Sequence, residues 1–370
     1  MKKHYDYLIV GSGISGSTMA RLLSDAGKTV LVVEKRDEVG GNVHTDLIDG
    51  IPVHTYGPHI FHTHSKEAWD FFCKYADVAP YVNRVFANYK GKLISMPFNM
   101  HTFEALFGVK TPEEAKEVIG KEIEKEGIKE PKNLEEQALS LVGRTIYETL
   151  IKGYTEKQWG RDATELPASI IKRLPIRYEY NDNYFNDAYQ GEPKGGYTPF
   201  IENLLKGVDV ITGVDYLANK EEYDEKADEV IYTGRLDEYF GFELGHLEWR
   251  SLRFDVKKEE VDSFQCTAVV NYTEREVPYT RVSEHKKFDP SCTNHHSTIL
   301  SYEYPDSFEE GKIPYYVVND AKNSTLANKY KEKVAALNNV YFLGRLANYQ
   351  YYDMDDAILS AFELYKELTK

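Results

Sequence analysis

Residues 5–16 read YDYLIVGSGISG. The apolar, β-branched run Tyr7–Val10 has the composition of a buried strand, and it breaks on Gly11-x-Gly13-x-x-Gly16. The pattern predicts a helix from near Ser17 to near Gly27. A second strand, TVLVVE, follows and closes on Glu34. Strand, glycine turn, helix and strand within about 30 residues make the βαβ unit that holds a dinucleotide. Gly11 allows the tight turn, Gly13 lets backbone approach a pyrophosphate, and Gly16 lets helix and strand pack closely. The helix N-terminus offers amides and partial positive charge to phosphates. Glu34 sits where a carboxylate can accept ribose hydroxyls. Ser12, Ile14 and Ser15 inside the turn, and Lys35 after the acid, complete the candidate cradle.

Six residues past the acid comes Gly40-Gly41-Asn42, within EKRDEVGGNVHT. A glycine pair just beyond the acidic strand end resembles the two-motif signature of FAD-binding proteins of the glutathione-reductase type, and it favours FAD over NAD. Gly41 and Asn42 join the cofactor candidates. The C-terminal stretch VYFLGRLANYQYYDMDDAILSAFELYKEL (340–368) reads as strand, glycine turn and helix. It resembles the segment by which such proteins close over the flavin, with Arg345, Tyr352, Asp353 and Met354 near the pyrophosphate and ring. Both chain ends then belong to one discontinuous domain.

At 370 residues the chain is long for one compact domain, and a 42% hydrophobic fraction supplies a core. No apolar run approaches the roughly 18 residues of a membrane span. The start MKKHYDYLIV resembles a signal peptide but breaks at Gly-Ser-Gly, so it reads as a first strand. Cys73, Cys266 and Cys292 are odd in number and far apart, which fits a reducing cytosol and neither a disulfide framework nor a zinc site. A net charge of −15 argues against nucleic-acid binding, and an anionic ligand would need arginines gathered locally. His54, with the H-x-x-H-x-H run His59, His62 and His64, lacks a thiol or carboxylate partner of metal-site spacing, so no metal is expected.

Residues 66–80 and about 100–172 carry apolar residues at three-to-four spacing and read as helical; Thr111-Pro112-Glu113-Glu114 is a helix start and GIKEPKN a break. Residues 176–204 and 247–304 read as antiparallel sheet, and 226–234 as a strand returning to the nucleotide domain. The expected fold class is α/β: a FAD-binding Rossmann-like domain with a helical insertion and an antiparallel-sheet insertion. The expected division is 1–80, 205–245 and 318–370 for FAD, 100–175 helical, and 81–99, 176–204 and 246–317 for the substrate sheet.

GPHIFHT (57–63), YVNRV (81–85), GYTEKQWG (153–160), RLPIRYEYNDNYF (173–185), YQGEPKGGY (189–197), VVNYTEREVPYTRVSEHK (269–286), PYY (314–316) and GRLANYQYYDMD (344–355) run from end to end of the chain. Together with the glycine motifs they resemble the bacterial UDP-galactopyranose mutases. The resemblance implies interconversion of UDP-galactopyranose and UDP-galactofuranose without net redox change, with FAD active when reduced and flavin N5 as nucleophile at the anomeric carbon. It implies Arg173 and Arg281 on the diphosphate, with the arginine at 173 on a mobile loop. Tyr184, Tyr316 and Tyr351 would be phenols around the phosphates, and Tyr154 would stack on uracil. Trp159 would border the sugar, with Thr155, Asn83 and Asn271 as polar neighbours. His62 would lie by flavin and sugar, and His59 and Ile60 by the flavin. It also implies a cellular flavin reductant, a homodimer, a cytoplasmic enzyme and a product used in cell-surface polysaccharide. Val317 stands after PYY where proline is expected, and Leu150 and Ile151 stand where some members carry aromatics near the base.

Phenols suit such a ligand, because they donate to phosphate without adding charge, and the chain has 29 tyrosines against 17 phenylalanines. Three other readings stay open: an amine-oxidase-type flavoenzyme, a flavin-free binder of the kind that holds small GTPases, and a NAD-dependent dehydrogenase.

Overall fold

The computed structural model describes residues 4–171 and 175–370. A five-stranded parallel sheet runs in the order Asp209–Ile211, Val30–Val33, Tyr5–Val10, Ala227–Tyr232, Val340–Phe342. Its central strands are apolar on both faces: Leu8, Ile9, Val32 and Ile231 are all buried. Helices Ile14–Asp25, Tyr197–Leu205 and Met354–Leu368 cover one face through Met19, Leu23, Phe200, Leu204, Ile358 and Phe362. Tyr216, Tyr223, Tyr232 and Ala347 fill the other. Strands from residues 5, 209, 227 and 340 thus share one sheet, so three distant parts of the sequence build the nucleotide unit.

The first helix begins at Ile14, three residues before the sequence expectation, with Gly13 as its N-cap. The helix predicted over 66–80 ends at Tyr75, and Val78–Pro80 is a strand paired with Tyr189–Pro193. A sheet was also expected over 176–204. Only Tyr189–Pro193 forms a strand there, and Tyr197–Leu205 is a helix whose apolar face joins the Rossmann core. The tyrosines and asparagines of 176–188 follow an irregular path that hydrogen-bonds mostly through side chains and single amides.

A seven-stranded sheet stands apart, ordered Tyr316–Val317, Trp249–Glu259, Thr298–Ser307, Arg281–Glu284, Val269–Tyr272, Val85–Tyr89, Lys92–Met96. All neighbours are antiparallel except Val85–Tyr89 with Val269–Tyr272. Between those two strands the chain leaves to build helices Met100–Phe107, Pro112–Glu126, Leu134–Ile146 and Lys152–Trp159, which share a core of Phe103, Ile119, Leu139, Ile146 and Tyr147. The predicted start at Thr111 is present as a reciprocal cap: Thr111 Oγ1 accepts from the Glu114 amide at 3.3 Å, and the Glu114 carboxylate accepts from the Thr111 amide at 3.1 Å. Among the described residues no helix is long and apolar enough to cross a membrane.

Candidate functional site

A cavity of about 730 Å³ opens between the carboxyl ends of the parallel strands and one face of the seven-stranded sheet. Ligands of open α/β sheets bind at that end of the strands. Of the predicted cofactor residues, Gly11, Gly13, Ile14, Ser15, Gly16, Glu34, Lys35, Gly41, Asn42, His59, Ile60, Arg345, Tyr352, Asp353 and Met354 line it. Ser12 stands behind, bonded to Glu34.

The glycine turn carries the strain its sequence implied. Gly11 has φ +101°, and a Cβ on Gly16 would meet the Gly11 carbonyl oxygen at 2.1 Å. A Cβ on Gly13 would meet nothing within 4 Å, so its surroundings are open for a ligand. No side chain caps the helix that starts at Ile14, which leaves first-turn amides for an anion. Glu34 uses three of its roughly four acceptor positions internally, taking the Ser12 amide at 2.8 Å, Ser12 Oγ at 2.7 Å and the Arg36 amide at 3.0 Å. One position on Oε1 remains for a ribose hydroxyl. Lys35 is paired with Asp215 at 2.9 Å and Glu238 at 3.7 Å.

Arg36, which the sequence reading passed over, belongs to the same wall. Its guanidinium lies 4.0 Å over the Tyr56 ring and donates to Asn42 Oδ1 at 2.8 Å, while buried Nη1 has no partner among the described residues. An orphaned buried guanidinium nitrogen beside a glycine cradle fits an anionic dinucleotide. Its position two residues after the acidic strand end was the available signal.

The far wall is the sheet. Asn271, Arg281 and Glu303 are successive register partners on three neighbouring strands, so their side chains share one face. Phe254 is the next partner in that row. Gly57, at φ +99°, lies so close to it that a Cβ would meet the ring at 2.9 Å, which brings the segment with His59 and His62 down onto the sheet. Arg281 Nε is 2.8 Å from Glu303 Oε2, leaving its terminal nitrogens for the cavity. Burial works against the Arg281 charge, but the groups around it, the Glu303 carboxylate foremost, together raise its pKa and keep the guanidinium charged.

Tyr154, Tyr184, Tyr316 and Tyr351 gather here with Asn83. Burial raises the phenol pKa of Tyr154, Tyr316 and Tyr351, so each stays a neutral donor. Tyr316 and Tyr351 are stacked, ring centroids 6.5 Å apart. The Tyr184 amide donates to the Asn83 carbonyl at 2.8 Å. Burial first, then Arg345, lowers the His59 pKa to about 4. His59 Nδ1 lies 2.8 Å from the Gly57 carbonyl and must be the protonated nitrogen, which leaves Nε2 an acceptor.

Tyr154 reaches the wall from helix Lys152–Trp159, which follows a π-turn at Tyr147–Ile151. Gly153 allows its close seating: a Cβ there would meet the Thr273 carbonyl oxygen at 2.3 Å. Lys157 clasps the same loop, donating to the carbonyls of Tyr272, Val277 and Tyr279 at 2.7, 3.0 and 2.8 Å. Trp159 departs from expectation. Five residues after Tyr154 it is turned about 140° around the helix, and it packs on the helical core instead of lining the cavity. Thr155 is buried beside Tyr154 and also lies off the cavity wall. Arg173 is outside the described residues.

A family model described as UDP-galactopyranose mutase matches residues 149–351, and one described as an NAD(P)-binding Rossmann-like domain matches residues 9–75. The chain is 41% identical to a probable UDP-galactopyranose mutase of Klebsiella pneumoniae, over 96% of this chain and 92% of that one. It is 40% identical to a dTDP-fucopyranose mutase of Escherichia coli, over 96% of each. The crystal structure of a reduced UDP-galactopyranose mutase superposes with a TM-score of 0.76 at 13% identity, covering 99% of this chain and 95% of that one. The Rossmann-like cradle, the arginine set among phenols across the cavity and these matches along the full length have one reading: the chain belongs to the UDP-galactopyranose mutase family of isomerases.

Proposed function

We propose that this protein interconverts UDP-galactopyranose and UDP-galactofuranose using reduced FAD. The reading is carried by one juxtaposition: a fixed, carboxylate-held guanidinium, Arg281, ringed by neutral phenols at the other side of a cavity from a dinucleotide cradle.

Reduced FAD, when bound, supplies the nucleophile for the anomeric carbon through N5, with no net redox change. Gly13, the amides after it, Arg36 and Arg345 hold its pyrophosphate, and Glu34 accepts from a ribose. Tyr154 stacks on uracil. Arg281 and the hydroxyls of Tyr184, Tyr316 and Tyr351 hold the diphosphate and stabilise the charge it gains as its bond to the sugar breaks. The ion pair with Glu303 sets the guanidinium in place before substrate arrives, so little reorganisation is needed at the moment of reaction. Arg173 supplies the second diphosphate contact. Asn83, Asn271 and His62 face the sugar.

The relative in Escherichia coli supports a second substrate reading, a dTDP-6-deoxyhexose. It differs by a methyl on the base and the loss of two hydroxyls, the 2′-hydroxyl of the ribose and the 6-hydroxyl of the hexose. Chromatography of the sugar nucleotide after mixing the yellow protein with UDP-galactofuranose, with and without dithionite, tests the first; dTDP-fucofuranose in parallel tests the second. Pyranose product from the uridine substrate only after reduction supports the proposal. Conversion of the thymidine substrate alone replaces it. Conversion without reduction, or consumption of reduced flavin in proportion to product, overturns the mechanism.

A further inference from the structure

His62 sits on the strand Phe61–Thr63, opposite Gln190. It lines the cavity. Its Nδ1 is 2.8 Å from Asp187 Oδ2, and its ring is stacked 3.6 Å from Phe185 at 16°. The His62 and Asp187 side chains are each 18% exposed. The other carboxylate oxygen of Asp187 lies 3.2 Å from Nε2 of His64, whose side chain is 71% exposed.

A carboxylate accepts and cannot donate, so the hydrogen of the short contact belongs to His62 Nδ1. In the neutral ring Nε2 is then the bare acceptor. Phe185 prevents the ring from tipping away. Asp187 and Phe185 are two residues apart on the irregular segment that also carries Tyr184, so one stretch of chain fixes both the tautomer and the ring plane of a group on another strand. The sequence reading named His62 and missed both of its holders.

We propose that Asp187 is a positioning residue for the reaction: it locks His62 in the Nδ1–H tautomer, with Phe185 clamping the ring, so that Nε2 accepts a hydrogen bond from a sugar hydroxyl. The inference rests on the mutase reading for the identity of that hydroxyl and on geometry alone for the tautomer. Because the nucleotide is anchored elsewhere, loss of this control lowers turnover more than binding.

The experiment uses the flavin-bound enzyme labelled with 15N-histidine, with His62→Gln to assign the His62 signals. The native enzyme carries the His62 proton on Nδ1. Asp187→Asn, which keeps the shape and can turn its amide donor to the ring, moves that proton toward Nε2. The same variant loses about tenfold or more in kcat, with KM and flavin content within about twofold of native. Adding Asp187→Asn to His62→Gln costs nothing further, and His64→Gln leaves turnover unchanged. A native His62 proton on Nε2, a double variant whose losses multiply, or a His64→Gln loss equal to that of Asp187→Asn overturns the proposal. The tautomer measurement needs no substrate. If no sugar nucleotide is turned over by native enzyme, the mutase reading fails, and the NMR result alone decides the positioning claim.

Discussion

Arg281 and Glu303 stand opposite one another on adjacent antiparallel strands, with Nε 2.8 Å from Oε2. The carboxylate is 2% exposed and accepts from Thr280 Oγ1 at 3.0 Å. Arg281 is 23% exposed, through the cavity it lines. Removing one partner of a buried pair leaves an uncompensated charge, at about 3–5 kcal/mol. Arg281→Met should therefore lose both activity, by about 10²-fold or more, and thermal stability. Arg281→Met with Glu303→Gln should recover much of the stability and none of the activity. Urea melts beside turnover assays make the comparison. A double variant as unstable as the single one would mean that the guanidinium's packing, and not the pairing, holds this region.

Gly153 lies inside a helix without positive φ, where alanine is intrinsically better by about 1 kcal/mol. Contact between a Cβ and the Thr273 carbonyl at 2.3 Å opposes that gain. Gly153→Ala should lower the melting temperature and also weaken UDP binding, because the shifted helix carries Tyr154. Tyr154→Ala should weaken UDP binding by about 1–3 kcal/mol while Tyr154→Phe keeps most of it. Calorimetric titration of UDP into each variant checks this. Unchanged affinity in Gly153→Ala with a lowered melting temperature would separate the helix seat from the base site.

The two glycines of the cradle should fail in different ways. Gly16 is packed against the Gly11 carbonyl, so Gly16→Ala damages the βαβ unit itself. Gly13 has open space around a Cβ, so Gly13→Ala should leave the fold intact and fill the place of the pyrophosphate. Purified Gly13→Ala should be folded by circular dichroism and nearly colourless, and Gly16→Ala poorly soluble. A yellow Gly13→Ala protein with native absorbance would remove that residue from cofactor contact.

The parts legible in the sequence were those that local chemistry dictates. The glycine turn, its flanking strands and the Thr111 cap each depend on a few neighbouring residues, and Arg281 was found through its motif. The partners that hold the site were not legible, because they meet it across long separations: Glu303 is 22 residues from Arg281, and Asp187 is 125 from His62. The phenol count divided in two. Tyr147, Tyr197 and Tyr330 are fully buried core residues whose hydroxyls bond Glu135, Glu192 and the Gly245 carbonyl. Tyr154, Tyr184, Tyr316 and Tyr351 face the cavity. Both uses need an apolar ring with one polar tip, so composition could not separate them. The irregular 176–188 path was mistaken for sheet because its aromatic, polar alternation matches strand chemistry while its hydrogen bonds go to side chains.

His285 is fully buried, and burial lowers its pKa from 6.5 to about 3. Its Nδ1 accepts from the His54 amide at 3.2 Å and its Nε2 meets Ser301 Oγ at 2.5 Å. His54, stacked on Phe288, is likewise lowered by burial and by its histidine neighbours. Between about pH 3 and 6.5 the unfolded chain takes a proton at His285 that the folded protein refuses, so stability falls as pH drops through that window. The slope is about 1.4 kcal/mol per pH unit for each such histidine. Glu192 has the opposite sign. Burial raises its pKa, so the folded state keeps a proton that the unfolded chain loses above about 4.5, and its contribution fades as pH rises. His59, lowered to about 4, adds a third titration of the histidine sign, and Glu238 and Asp356, both raised by burial, add to that of Glu192; each buried histidine contributes a gain in stability from pH 5 to 6. His285→Gln removes one titration and should flatten that gain by about 1.4 kcal/mol per pH unit, whatever it costs in absolute stability. Urea midpoints at pH 5, 5.5, 6 and 6.5 for native and variant protein measure the difference in slope. Parallel lines would mean that the buried imidazole at 285 does not govern the acid sensitivity of the fold.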